Sequence, residues 1–278
     1  MRLVNTEKEE TPRMKRRIVI AAIASVLTLA LAGCGEKAGE KEIKLGTLSG
    51  PHAEVAEVAA KVAKEKGLSV RIVEFSDYGH VNEALAVRDI DVNAFQHVPF
   101  LEKAISQRGY QFTPLGKTVV FPLGVYSLKI KEKSQITDGM LVSVPADPAN
   151  LGRALQLLER NGIIGLRPGA GVHATTHDIE KNPKNLQFLE TDSAFLGRSL
   201  PDVGFSVING SWAVKSGLSP AKDAFLLEGG DSDFANVLVV RTEDKDRPEF
   251  KVLQSAFQSP EVKAFVLDKY KGSVVPAF

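Results

Sequence analysis

The stretch IKLGTLSGPHAEVAEVAAKVAKEKGLSVRIVEF, residues 43–75, decides the fold class. Residues 43–48 alternate apolar with small or polar side chains, the period of a strand. Ser49-Gly50-Pro51 breaks the chain, and from His52 a helix follows in which Val55, Val58, Ala59 and Val62 share one stripe at i, i+3, i+4 and i+7. Gly67 ends it, and residues 68–75 return to period two. Residues 82–87 read as a second helix and 90–95 as a third short strand. Strand, helix, strand, helix, strand is the grammar of a parallel α/β sheet with right-handed crossovers.

The same grammar recurs downstream. Residues 141–144 read as a strand, and Asp147 is placed to cap a helix whose first position is Pro148. That helix turns Leu151, Leu155 and Leu158 inward and stops near Asn161-Gly162. After a Gly/Pro/Asn-rich stretch over 162–185, residues 205–208 form a strand that opens a helix at Asn209. Residues 224–227 and 237–240 are further strands, and 249–257 and 260–270 two closing helices. Between the two units, residues 118–126 form an apolar run interrupted by Pro122 and Gly124, as suits a segment that crosses between lobes. Glu228-Gly229-Gly230-Asp231 is the candidate return crossing. The expectation is an α/β protein of two lobes, 43–124 with 232–278 and 125–231, hinged by two crossing segments. Its ligand would lie between the lobes at the carboxyl ends of the strands.

Composition narrows the function. The chain holds 35 Lys/Arg and 34 Asp/Glu, and its first 33 residues hold six of the former and three of the latter. The remainder, with 29 basic and 31 acidic residues, has a net charge of −2 and offers no electrostatic footprint for nucleic acid. A single cysteine, Cys34, excludes an intramolecular disulfide or a cysteine-rich metal site.

That cysteine closes a leader. Met14-Lys15-Arg16-Arg17 is a basic n-region, and residues 18–31 are an uncharged apolar run ending in Leu31-Ala32-Gly33-Cys34. The run is too short to span a hydrocarbon core of about 30 Å but suits a secretory h-region. L-A-G-C at its end resembles the bacterial lipoprotein signal, which makes residues 1–33 a leader and Cys34 the lipidated first residue of the mature chain. Residues 1–13 are polar and unlike an n-region, so Met14 is an alternative start. Residues 34–42 are rich in Gly, Glu and Lys and read as a tether.

Candidate binding residues cluster at the end of the third strand, Asn93-Ala94-Phe95-Gln96-His97-Val98-Pro99-Phe100. Aromatic, amide and imidazole groups meet where a strand releases the chain into the cleft, and His97 is either a packed histidine or a ligand contact. Arg153 is the second candidate. Relative to Leu151, Leu155 sits at about 40° and Leu158 at about 340° around the helix, while Arg153 sits at about 200°. It points away from the core stripe, either into solvent or into the cleft as a clamp for a carboxylate. His173 and His177 stand at zinc-helix spacing without the glutamate, and no catalytic motif occurs. No cofactor, metal site or enzymatic activity is expected.

These residues carry a family likeness. The segments 93–97 (NAFQH), 144–155 (VPADPANLGRAL) and 180–186 (EKNPKNL) resemble the NlpA/MetQ family of methionine-binding lipoproteins, the substrate-binding proteins of ABC importers. The likeness extends over residues 43–278 and includes the lipobox. It implies a periplasmic-binding-protein fold of type II and a bacterial envelope protein anchored through Cys34, facing the periplasm or the extracellular side. It also implies a methionine between the lobes and an ABC permease with its ATPase as partners. By the same resemblance Asn150, Arg153, Asn209 and Asn236 would hold the carboxylate and amine, while Tyr78, Phe95, His97, Phe100 and Phe121 would enclose the thioether. Phe100 and Phe121 stand where members often have Tyr, and Val98 where they often have Lys, which makes the expected pocket more apolar. D-methionine, a methionine dipeptide or another apolar amino acid stay open as ligands, and a metal-binding lipoprotein is the alternative reading.

Overall fold

The computed structural model describes residues 42–229 and 232–278. The leader, the lipobox with Cys34 and the tether up to residue 41 lie outside them.

In chain order the first half comprises β1 (Glu42–Leu48), α1 (Pro51–Glu65), β2 (Ser69–Phe75), α2 (Gly79–Ala86), β3 (Val92–His97), α3 (Val98–Arg108), β4 (Phe112–Lys117), β5 (Val119–Val120) and β6 (Gly124–Tyr126). The second half comprises β7 (Leu141–Pro145), α4 (Pro148–Arg160), β8 (Gly165–Leu166), β9 (Ile179–Lys181), β10 (Gln187–Thr191), α5 (Leu196–Ser199), β11 (Phe205–Ile208), α6 (Gly210–Lys215), α7 (Pro220–Asp223) and β12 (Leu226–Leu227). β13 (Asn236–Arg241), α8 (Pro248–Phe257), α9 (Pro260–Tyr270) and β14 (Val275–Pro276) complete it.

Two five-stranded sheets result, in the orders β2-β1-β3-β13-β4 and β10-β7-β11-β6-β12. β1 runs parallel to β2 and β3, as the opening stretch requires, but β13 is antiparallel to both β3 and β4. The second sheet repeats this: β10, β7 and β11 are parallel, and β6 joins antiparallel to β11 and β12. Each sheet is therefore mixed, because its antiparallel members are the strands on either side of the segments that pass between sheets. The chain leaves the first sheet after Lys117 and enters the second at Gly124; it leaves the second after Leu227 and re-enters the first at Asn236.

Three differences from the sequence reading have physical causes. The segment 118–126 is two short strands rather than one run, because Phe121-Pro122-Leu123 belongs to neither sheet. α2 begins at Gly79, ahead of the expected start, where Asp77 accepts the Gly79 N–H at 2.8 Å. α3 and β4 escaped periodicity altogether: α3 buries only Leu101, so it shows almost no apolar stripe.

One core packs α1, α8 and α9 on the first sheet around Leu45, Val55, Ala59, Phe250, Phe257 and Val266. A second packs α4 on the other sheet through Val142, Val144, Leu151, Leu155, Leu158 and Phe205. A third draws on both sheets, with Leu48, Val81 and Phe95 from one and Tyr126, Ile208 and Trp212 from the other. Among the described residues no helix is long and apolar enough to cross a membrane.

Candidate ligand cavity

β3 is buried along its whole length, so both faces carry interior side chains. One set forms a support. Asn82 on α2 donates to Gln96 at 2.9 Å and accepts from it at 2.7 Å, and Asn93 joins through bonds of 3.0 and 3.1 Å. Buried amides satisfied by one another in this way lock a strand to its helix. Phe95 and His97 face a cavity, whose wall Gln96 also reaches.

The chain leaves β3 through His97, which caps α3: its Nδ1 accepts the Phe100 N–H at 3.2 Å. Nε2 must then carry the proton, and it lies 3.1 Å from Asn150 Oδ1. That oxygen also accepts from Asn209 Nδ2 at 2.7 Å, while Asn150 Nδ2 donates to Asp147, the cap of α4, at 3.0 and 3.1 Å. The His97–Asn150 bond thus joins the first sheet to the second. Burial, reinforced by the Arg153 charge and opposed by Asn150, lowers the His97 pKa to about 3, so the ring is neutral.

Arg153 is 4% exposed, which rules out a solvated side chain. It does clamp a carboxylate, but that of Glu228: Nε donates to Oε1 at 3.0 Å and Nη2 pairs with Oε2. Nη2 also donates to the Phe121 carbonyl at 3.1 Å, and the guanidinium lies 4.5 Å over the Phe234 ring. Glu228 in turn accepts the Leu123 N–H at 3.1 Å. A single ion pair therefore holds both segments that pass between the sheets, one through Phe121 and Leu123, the other through Glu228. Gly152 permits this placement, since a Cβ there would lie 2.2 Å from the Val172 carbonyl oxygen.

A cavity opens between these groups, at the carboxyl end of β3. All nine binding candidates from the sequence, Tyr78, Phe95, His97, Phe100, Phe121, Asn150, Arg153, Asn209 and Asn236, lie on its wall. Tyr78 sits 6.1 Å from Phe95, 5.6 Å from Phe100 and 5.8 Å from Trp212, making a cage of ring faces and edges. The polar residues occupy the remaining wall. Asn236 Nδ2 is a buried donor that meets no partner among the described residues, which costs free energy unless a ligand or water meets it. Gln96 of the strand-end cluster lines the cavity as well, as do His52 and Ser211, and Glu228 stands behind Arg153; the sequence reading made none of the last three a site residue. His52 was recoverable, because it opens the helix after the carboxyl end of β1, where such sites form. Among the described residues no three of His, Cys, Asp and Glu converge as metal ligands, and His173 and His177 lie exposed in separate 3₁₀ turns.

Residues 43–278 match the family described as NlpA lipoprotein. The chain is 45% identical over 264 residues to a probable D-methionine-binding lipoprotein MetQ of Vibrio cholerae, covering 94% of this chain and 97% of that one. It is 43% identical over 260 residues to the D-methionine-binding lipoprotein MetQ of Escherichia coli K12, covering 92% and 96%. A nutrient-binding protein from Burkholderia cenocepacia, solved bound to methionine, superimposes with a TM-score of 0.83 at 47% identity, over 85% of this chain and all of that one. The crystal structure of a methionine-binding MetQ gives the same TM-score at 43% identity, over 85% and 98%.

Proposed function

The chain belongs to the NlpA lipoprotein family, and on that footing we propose that it is the methionine-binding component of an ABC importer. Residues 43–124 with 232–278 form one lobe and 125–231 the other, and the segments around Phe121 and Glu228 are the hinge between them. Methionine lies in the cavity with its thioether among Tyr78, Phe95, His97, Phe100 and Phe121. Asn150, Arg153, Asn209 and Asn236 hold its charged head. A polarizable thioether packs well against ring edges and faces. The neutral His97 ring adds no charge to an apolar pocket that must accept no cation. Phe100 and Phe121 both line the cavity, so neither position brings a hydroxyl to its side-chain end.

Cys34 carries the lipid that tethers the protein to the cell envelope on its outward-facing side, and the closed clamp docks on a permease driven by an ATPase. The ligand is delivered unchanged. The observation that carries this reading is the cavity itself: an aromatic cage facing a polar wall that contains a buried amide, Asn236, without a partner among the described residues.

A thermal-shift panel of the twenty L-amino acids, D-methionine and methionine dipeptides tests it. Methionine at about 100 times its Kd adds about 2.7 kcal/mol by mass action, and mass spectrometry of the purified protein should find it as a co-purifying ligand. A panel in which no methionine compound raises the midpoint would reject the proposal.

A further inference from the structure

The segment after α9 joins parts of the molecule that the two crossings keep apart. Lys271 and Gly272 take left-handed backbone angles, with φ of 46° and 92°, and glycine is what the second of these needs. The chain thereby turns off the helix and leaves Ser273 and Val274 buried. β14 then lies antiparallel against β5, with Val275 opposite Val120 and Pro276 opposite Val119. The Ala277 N–H extends the pairing by donating to the Thr118 carbonyl at 3.0 Å. β5 belongs to the first segment that passes between the sheets, just ahead of Phe121.

The other end of the same segment reaches the second passage. α7 leads into β12 and so to Glu228, and its N-cap residue, Ser219, makes no capping bond with its own side chain. Ser273 supplies one instead. The Ala221 N–H donates to Ser273 Oγ at 3.3 Å, and Ser219 Oγ lies 3.3 Å from the same oxygen. An amide at a helix start, which its own helix cannot satisfy, is thus met from 52 residues away. Val274, beside the serine that meets it, packs in the core of the first sheet. Beyond α7 the Phe225 N–H donates to the Val125 carbonyl at 3.0 Å, and the Glu228 N–H to the Leu123 carbonyl at 2.9 Å. Where α7 sits therefore bears on where Glu228 holds Arg153.

We propose that residues 271–278 form a third tie across the hinge, in which Ser273 is a positioning residue that caps α7 from the opposite lobe and slows the parting of the lobes around a bound amino acid. The inference rests on the two-lobed binding reading given above. The lobes meet across the cavity through the His97–Asn150 bond, and the tie is made in that state. Opening at Phe121 and Glu228 would carry α7 away with the second lobe while β14 stays on β5. Breaking the Ser273 bonds in a buried place is then part of the work of opening. Neither Ser273 nor α7 lines the cavity, so the tie acts on the dissociation rate and leaves the ligand contacts as they are.

Stopped-flow binding of methionine, followed by the fluorescence of Trp212, tests it. This is the chain's only tryptophan, and its ring lies 5.8 Å from that of Tyr78 in the cage. In Ser273→Ala the dissociation rate should rise roughly three- to tenfold, the worth of one buried hydrogen bond. The association rate should change by less than about twofold. Ser219→Ala keeps the Ala221 bond to Ser273 and should raise dissociation by less than about twofold. Deleting Ala277 and Phe278 removes the bond to Thr118 and no fully buried residue, and should raise dissociation roughly twofold. A serine of merely structural value would lower the unfolding midpoint and leave the dissociation rate of the folded protein unchanged. If Ser273→Ala does not fold, the deletion decides alone, and unchanged dissociation there overturns the tie. Unchanged dissociation in a folded Ser273→Ala, or a loss carried wholly by slower association, overturns it as well. A wild type that binds no methionine compound overturns the binding reading, and the tie's role with it; a wild type that binds, beside variants that release no faster, overturns the tie alone.

Discussion

The two walls of the cavity are held in place by different means. The wall at the end of β3 is local: Phe95, His97 and Phe100 lie within six residues, backed by the Asn82–Asn93–Gln96 amide network and the His97 cap. The wall at Arg153 is assembled from a distance. Its guanidinium is positioned by Glu228, 75 residues away, and by the Phe121 carbonyl, 32 residues away, both on the segments that pass between the sheets. One wall is preformed by its own neighbourhood, and the other exists only when both crossings are in register. Ligand contacts on the second wall therefore bear directly on the segments that must bend when a two-lobed clamp opens.

The sharpest way to break this contrast is to remove the partner on the distant wall. Glu228→Ala leaves the Arg153 charge buried and unpaired, and should lower the stability read by urea unfolding by about 3–5 kcal/mol. Glu228→Gln, which keeps the Leu123 acceptor, should lose less. If Glu228→Ala costs no more than an ordinary surface change, the ion pair does not hold the crossings.

On the local wall, Asn82→Ala strips the network of both the donor and the acceptor that Gln96 uses and should destabilise by about 1–3 kcal/mol. Because this wall owes nothing to the crossings, methionine affinity in Asn82→Ala should fall less steeply than in Glu228→Gln, as titration would report.

Acid acts on both walls. His52 and His97 have folded-state pKa values near 3, below the value of about 6.5 for an unfolded histidine. The unfolded chain therefore binds more protons between those limits. Stability is complete above about pH 6.5 and falls as pH drops below it, by about 1.4 kcal/mol per unit for each histidine at most. Urea midpoints from pH 7 to 5 should show that fall, and His97→Gln should flatten it. A profile as flat below pH 6.5 as above would exclude neutral buried histidines.

The smallest effect is expected from restoring a hydroxyl to the apolar cage. Phe100→Tyr should change methionine affinity by less than about 1 kcal/mol unless the phenol finds a partner. The same titration should show polar analogues such as methionine sulfoxide gaining relative to methionine.

Much of this was legible in the sequence. The β1-α1-β2 stretch announced parallel strands through two periodicities, and Asp147-Pro148 marked the start of α4 to the residue. Arg153 could be placed off the apolar stripe by helix geometry alone. The NAFQH segment was readable as a site because a strand end delivers its side chains together. α3 stayed hidden because a helix that buries one residue carries no period.

What the sequence by itself determined, then, is the periodic elements and the faces they bury, since backbone periodicity and capping act within a few residues. What only the tertiary structure decided is which groups complete one another. Arg153 could be known to face inward or outward, but not that its carboxylate partner would be Glu228. His52 could be known to open a helix, but not that Phe121 would cover its ring. Such pairings join positions tens of residues apart, and they are fixed by desolvation and charge when two sheets close on a shared cavity, a condition that no local pattern encodes.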